Sequence, residues 1–345
     1  MSRNLLWVVL VGAVLIATIS STAALAEPEE KPAKKGGPKD YEIGLYEIGL
    51  IGDFPYDPAQ QQQAHNLFEE LNAEDLAFIA HDGDIKSGST ACTDDVYRRE
   101  FRRFESSRNP LIYTPGDNEW TDCHRPPNPS PQEADPLNRL DFLRETFFSE
   151  GASLGREEIP LRRQSEEYPE NARWSVGGAR GVTFATVHVV GSNNNRPTTT
   201  NPTVGDEQEW RARNEANIAW LERTFWAAQR RESEAVMVVI QANIFEGDTA
   251  EPSGFAEFKE VLRRETIAFG KPVVLVHGDT HFFRVDKPLF YAEKGGEKSR
   301  VRNFTRVETF GDEDVHWVRA TVVDTPDEEV YFFFVPELVE ENLVP

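Results

Sequence analysis

Four short apolar runs in this chain each stop at a glycine followed by an aspartate. Residues 46–51 run into Gly52-Asp53, residues 76–80 into His81-Asp82-Gly83-Asp84, residues 111–114 into Gly116-Asp117-Asn118-Glu119, and residues 272–276 into His277-Gly278-Asp279-Thr280-His281. Runs of this length read as buried strands. A carboxylate at the mouth of a buried strand is costly to desolvate unless a metal, another cation or a ligand offsets it. In open α/β sheets, ligands bind beyond the carboxyl ends of the strands. If the four strands lie side by side, their acidic tips converge on one spot.

The elements that must position these tips follow a rhythm. Asp57-Pro58 is an N-cap followed by proline at the first helical position, and residues 59–71 read as a helix. A second helix is expected from about Thr93, with Val96, Tyr97, Phe101 and Phe104 as its apolar stripe, and a third carries Leu140, Phe142, Leu143, Phe147 and Phe148. Strand, acidic loop and helix in repetition argue for a parallel α/β core. Residues 174–176 and 182–190 then read as consecutive strands, and residues 191–205 as a polar loop that borders a site or is simply mobile. A long helix starts at Asp206, a strand at 235–240 ends at Gln241-Ala242-Asn243, a helix covers 254–264, and the chain beyond His281 is largely β, with strands at 317–323 and 330–335. The tandem Y-E-I-G-L at residues 41–50 has an odd period, so only the copy adjoining Asp53 is expected in the core register. These elements make one domain over residues 41–337, with a short tail at 338–345.

The chain of 345 residues is 39% hydrophobic, enough for a full core, and its net charge of −22 argues against nucleic acid or an anionic membrane as partner. Most of that charge is explained by solubility alone. Residues 1–26 have a basic start, an apolar run and Ala24-Leu25-Ala26, the pattern of a signal peptide cleaved after Ala26, so a secreted or periplasmic location is expected. Residues 27–40 are a flexible linker by composition. With Cys92 and Cys123 the only cysteines, export implies a disulfide between them. It would contribute roughly 3–4 kcal/mol on the chain-entropy model and clamp two acidic loops together.

The ordered blocks Gly52-Asp53, Gly83-Asp84, Gly116-Asp117-Asn118-Glu119, Gln241-Ala242-Asn243 and Gly278-Asp279-Thr280-His281 resemble those of the calcineurin-like metallophosphoesterase family, which includes the purple acid phosphatases. The resemblance implies an α/β/β/α sandwich of two mixed sheets flanked by helices, carrying two divalent ions. It implies a first ion, iron or zinc, held by Asp53, Asp84 and His281. A second would use Asp84, Asp117, Asn243 beside Ala242, and Asp279, an oxygen-rich set that suits magnesium, manganese or calcium. Where the family has a catalytic histidine this chain has Asn118, which leaves substrate orientation to Asn118 and proton donation to His81, His124 or His277. Of these, His124 is the nearest to the G-D-N-E block in sequence, and each also reads as a hydrogen-bonded structural histidine. Lys86 would offset a charge or contact a phosphate, or is simply solvated.

The chemistry expected is hydrolysis of a phosphate mono- or diester by a metal-bound water in an exported enzyme, with a phosphate-ester substrate as partner. Four carboxylates against two ions would remove most of the attraction for a phosphate dianion. That motivates an alternative, a catalytically weak or inactive relative acting as an extracellular cation-binding or interaction module. A glycan hydrolase using paired carboxylates is a third reading.

Overall fold

Strand formation starts with the second Y-E-I-G-L copy. In the computed structural model, which describes residues 44–125, 127–178, 180–245, 250–292, 296–324 and 329–343, β1 is Leu45–Ile51, with Tyr46, Ile48 and Leu50 buried and Leu45 exposed. The expected signal peptide and linker, residues 41–43 and residues 344–345 lie outside the described residues. From β1 the chain enters α1 (Pro58–Ala73), where the Asp57 carboxylate accepts the Gln60 N–H and Pro58 opens the helix. β2 (Ile79–His81), α2 (Asp94–Glu105), β3 (Leu111–Tyr113) and α3 (Pro136–Phe147) repeat the pattern. β1, β2 and β3 pair in parallel.

The middle of the chain builds a second sheet. β4 (Arg162–Arg163), β5 (Ala172–Val176) and β6 (Val182–Thr186) precede α4, a four-residue turn at Gly191–Asn194. Then follow α5 (Glu207–Arg230), β7 (Ala235–Val239), α6 (Ala256–Phe269), β8 (Val273–His277), β9 (Arg284–Asp286), the hairpin of β10 (Phe290–Ala292) and β11 (Lys298–Arg300), and β12 (Phe304–Glu308). β13 (Trp317–Asp324) and β14 (Val330–Glu337) follow, and then a single helical turn at Glu340–Asn342. The sheets run β14-β13-β1-β2-β3 and β4-β5-β6-β7-β8-β12-β9.

The class is α/β, with mixed rather than parallel sheets. β13 returns antiparallel onto the edge of β1, pairing Leu45 with Val323, and β14 folds back on it as a hairpin, which needs no crossover helix. The strand expected over 182–190 stops at Thr186, because beyond it the backbone turns: Val189 donates to the Val187 carbonyl, and Gln241 and Ala242 both donate to Val189 O.

Three cores hold these elements. One joins Ile51, Ile79 and Leu111 to Leu67, Tyr97 and Phe147 of the first three helices. A second contains Ile48, Leu50 and Phe78 together with Phe184, Met237 and Val274, residues of both sheets. The third packs Leu221, Phe225, Phe258 and Leu262 of α5 and α6 on Val236, Val238 and Leu275. Each such side chain, fully buried, contributes about 1.5–3 kcal/mol, so the strand ends have little freedom to move. Cys92 and Cys123 form the expected disulfide, with their Cα atoms 5.7 Å apart. Among the described residues no helix is long and apolar enough to cross a membrane.

Candidate functional site

The loops after β1, β2, β3, β7 and β8 meet, and their glycines explain how closely. A Cβ on Gly116 would lie 2.0 Å from Asp84 Oδ1, and one on Gly278 would lie 2.0 Å from Asp53 Oδ2. Each glycine is required because a carboxylate from another loop rests on its Cα. The acids themselves take an uncommon backbone. Asp53 and Asp84 both have φ of 57°, Asp279 75° and His281 59°. Left-handed non-glycine residues cost about 1–3 kcal/mol each and cluster where function requires them.

One atom lies between these groups. The Tyr56 hydroxyl stands 3.1 Å from Asp84 Oδ2, 3.4 Å from Asp53 Oδ1 and 3.2 Å from His281 Nε2, and it accepts from Asn118 Nδ2 at 3.1 Å. Asp53 is held by the Asp279 N–H, which donates to both its oxygens at 3.2 and 3.0 Å. Asp84 accepts the Asn118 N–H on Oδ1 at 3.1 Å, and on Oδ2 it accepts Asn118 Nδ2 at 2.8 Å and Gln241 Nε2 at 3.2 Å.

Burial dominates the electrostatics. It raises the Asp53 carboxyl well above its ordinary range, with the charges of Asp82 and Asp279 adding to the effect. Burial also raises Asp84, reinforced by Asp117, Glu119 and Asp53, and pushes Asp279 up to about 7. Lys86, itself buried, is lowered by desolvation despite four carboxylates nearby, and its ammonium donates to Ser87 O. Carboxylates this crowded must take up protons or a cation. Asp82 Oδ1 lacks a hydrogen-bond partner although fully buried, and it lies 3.0 Å from where a Gly278 Cβ would be, beside Asp53.

The other expected residues fall in different places. Asp117 Oδ2 accepts Ser192 Oγ at 2.6 Å, while its Oδ1 and Asp279 Oδ1 each lie 2.8 Å from where a Gly191 Cβ would be. Asp279 accepts the Asn243 N–H at 2.9 Å, but the Asn243 side chain turns away, donating to Thr280 Oγ1 and accepting from Phe245 N. Both Nδ2 protons of Asn118 are committed to Asp84 and Tyr56, so its amide braces the site. His124 is exposed and bonds Thr121 O within its own turn, outside the cluster. His277 is buried against its own Gly278 carbonyl, and desolvation lowers it to about 3; His81 lies among the rings of Phe54, Phe104 and Tyr113, likewise lowered to about 3. Tyr56 and Gln241 were not among the expected site residues. The signal available was position: Tyr56 shares the Asp53 loop, and Gln241 stands at a strand end.

The donor set of two carboxylates, a phenol oxygen and an imidazole nitrogen suits a divalent ion by type. Distance is a separate matter. Among the described residues no three His, Cys, Asp or Glu side chains are grouped to hold an ion. The separations of 3.1–3.4 Å around Tyr56 exceed the roughly 2.0–2.6 Å of ligand–metal bonds. In this arrangement the tyrosine oxygen occupies the space between the three groups. The residue types and their desolvation fit a cation, and the side chains must draw inward to hold it.

No protein-family model matches the chain, and no curated protein does. Among solved structures it is similar to the C. elegans NitFhit protein, at 10% identity and a TM-score of 0.28, over 88% of this chain and 63% of that one. The chain thus spans less than two thirds of that protein. These findings correct the expected membership of the calcineurin-like metallophosphoesterase family. Gly-Asp at a strand end is what close-packed acidic loops require sterically, whatever the ancestry, and the positions most particular to the family carry Asp117, Asn118, Ala242 and Asp279 here.

Proposed function

We propose that the chain is a hydrolase of phosphate esters that uses a divalent metal ion held by Asp53, Asp84 and His281, with the Tyr56 oxygen between them. The observation that carries this reading is the convergence of those three side chains, from the ends of three strands in two sheets, within 3.1–3.4 Å of one oxygen. When bound, the ion supplies Lewis-acid polarisation of the phosphoryl oxygens and neutralises charge in the displacement. The chain's own residues do the positioning. Asn118 orients Asp84 through two donated bonds and the Tyr56 hydroxyl through a third, Asp279 fixes Asp53 through its N–H, and Gln241 bridges Asp84 to the Asp279 loop. We infer further that the sheets stack face to face in an α/β/β/α sandwich, which the shared core of the two sheets supports, and that the protein works outside the cytosol, as its disulfide favours.

Purified mature protein is expected to cleave p-nitrophenyl phosphate mono- or diesters with manganese, magnesium or calcium, and Asp84→Asn to abolish this. Equal rates in both proteins remove the proposal. The absence of a protonatable side chain at Asn118 favours a second reading, a cation-binding module without turnover. A stoichiometric ion with no ester hydrolysed selects it.

A further inference from the structure

A second chemical group faces this cluster from the other sheet. After β6 the chain enters four consecutive left-handed residues, Ser192, Asn193, Asn194 and Asn195, with φ of 49°, 55°, 56° and 61°. No glycine relieves any of them, so other contacts must hold the turn. Arg213, a buried arginine of α5, donates to His188 O, to Asn194 Oδ1 at 2.6 Å and to Asn194 O at 2.9 Å. Glu209 pairs with Arg213 and accepts Asn195 Nδ2 at 2.7 Å, while Asn193 Oδ1 accepts the Gly254 N–H. The result is one presented side chain. Ser192 Oγ lies 2.6 Å from Asp117 Oδ2 and 2.9 Å from Asp122 Oδ1, and it accepts from Arg125 Nη2 at 3.1 Å. Arg125 is half-exposed, paired on one side with Asp122 and open to solvent over the serine.

A hydroxyl on a strained backbone, within hydrogen-bond reach of a carboxylate and beside a cation, has the parts of an activated nucleophile. We propose that Ser192 attacks phosphorus, with Asp117 as its general base and the Arg125 guanidinium facing the phosphoryl oxygens; the inference deepens the reading of the chain as a phosphoesterase. Ser192 Oγ forms the new bond to phosphorus while the bond to the leaving alkoxide breaks. The serine proton passes to Asp117 Oδ2 and from there to the leaving oxygen. Water then attacks phosphorus, the Oγ–P bond breaks, the water's proton returns to Ser192 through Asp117, and the product is released, a phosphomonoester from a diester or inorganic phosphate from a monoester. No further reactant is needed.

The test is labelling of the folded mature protein with an alkyl fluorophosphonate, followed by digestion and mass mapping. Near-stoichiometric modification at Ser192 is expected, at least tenfold slower in Asp117→Asn and absent from heat-unfolded protein. Ser192→Gly, which suits the left-handed backbone, should keep the thermal transition while lowering kcat on bis-p-nitrophenyl phosphate at least 100-fold. Label scattered over other residues, or none, overturns the nucleophile, as does a Ser192→Gly variant that turns over like wild type. If wild type hydrolyses the diester without label at Ser192, only this inference falls. If Ser192 is labelled but no ester is hydrolysed with any metal, the nucleophile stands and the hydrolase reading falls.

Discussion

Glu119 accepts the backbone N–H of Asp84 on Oε1 at 3.1 Å, so a carboxylate on the loop after β3 fixes the residue at the end of β2. The same oxygen accepts the Gly116 N–H at 2.7 Å and the Tyr113 hydroxyl at 2.6 Å, while Oε2 has no partner. Glu119 thus acts on the site through the backbone of Asp84.

Glu119→Ala strands three buried donors, and stability should fall by about 3–5 kcal/mol. Glu119→Gln retains the acceptor and should lose about half as much. Urea unfolding of both variants checks the difference, and equal losses would show that the hydrogen bonds to Oε1 do not matter.

Ion binding should stabilise the protein by relieving the repulsion among Asp53, Asp84 and Asp279. At an ion concentration 100-fold above Kd the gain is about 2.7 kcal/mol. Differential scanning fluorimetry with and without manganese should therefore show a rise in Tm for wild type and none for Asp84→Asn. A rise of equal size in both would place the ion elsewhere.

Asp279, Asp117 and Asp122 add negative charge around the same pocket. A monoanionic phosphodiester suffers less repulsion there than a dianionic monoester. The kcat/KM for bis-p-nitrophenyl phosphate relative to its intrinsic reactivity should exceed that for p-nitrophenyl phosphate by about tenfold or more, on the order of 1.4 kcal/mol, and the gap should shrink as salt screens the pocket. A preference for the monoester would contradict this charge argument.

The disulfide closes a loop with a sequence separation of 31 residues between the loop after β2 and the loop after β3. Its removal in a Cys92→Ala, Cys123→Ala double variant should cost about 3–4 kcal/mol. Because Cys123 also touches the Tyr97 hydroxyl, itself bonded to Glu119 O, hydrolysis should weaken along with stability. Chemical denaturation and turnover on the same sample test both parts.

Burial lowers His81 to about 3 from an ordinary 6.5. The unfolded chain therefore takes up this proton first, and the stability contributed by a neutral His81 is complete above about pH 6.5 and lost toward pH 3. The loss has a slope of about 1.4 kcal/mol per pH unit, about 2 kcal/mol by pH 5. His81→Phe keeps the ring packing, gives up the acceptor for the Gly83 N–H, and cannot titrate. It should be less stable than wild type at pH 7.5 by about 1 kcal/mol and more stable at pH 5. Parallel pH profiles for the two proteins would refute this.

Local chemistry made much of the fold readable. The Asp57-Pro58 helix start, the Asp206 cap and the cysteine pair appear where residue type dictates them, since each depends on neighbours in sequence or on a simple count. The second Y-E-I-G-L copy holds the core register for the same reason of alternation. What could not be read depends on distant groups. The place of Tyr56 at the centre requires knowing that the loop after β1 folds over the loop after β8, and the left-handed angles of Asp53, Asp84 and Ser192 have no sequence signature when the residue is not glycine. Asn243 misled because it stands beside a strand end as a ligand would, yet Thr280 and Phe245 take up its amide.

The antiparallel pairing of β13 with β1 also governs when the pocket can exist. The strand that delivers Asp53 is among the first described segments to leave the ribosome, and its neighbour is among the last. A chain halted before Trp317 would leave β1 with an open edge, so the acids can be gathered only after β13 has emerged, and a product ended before that point should be inert even though Asp53, Asp84, Asp117 and Asp279 are all present.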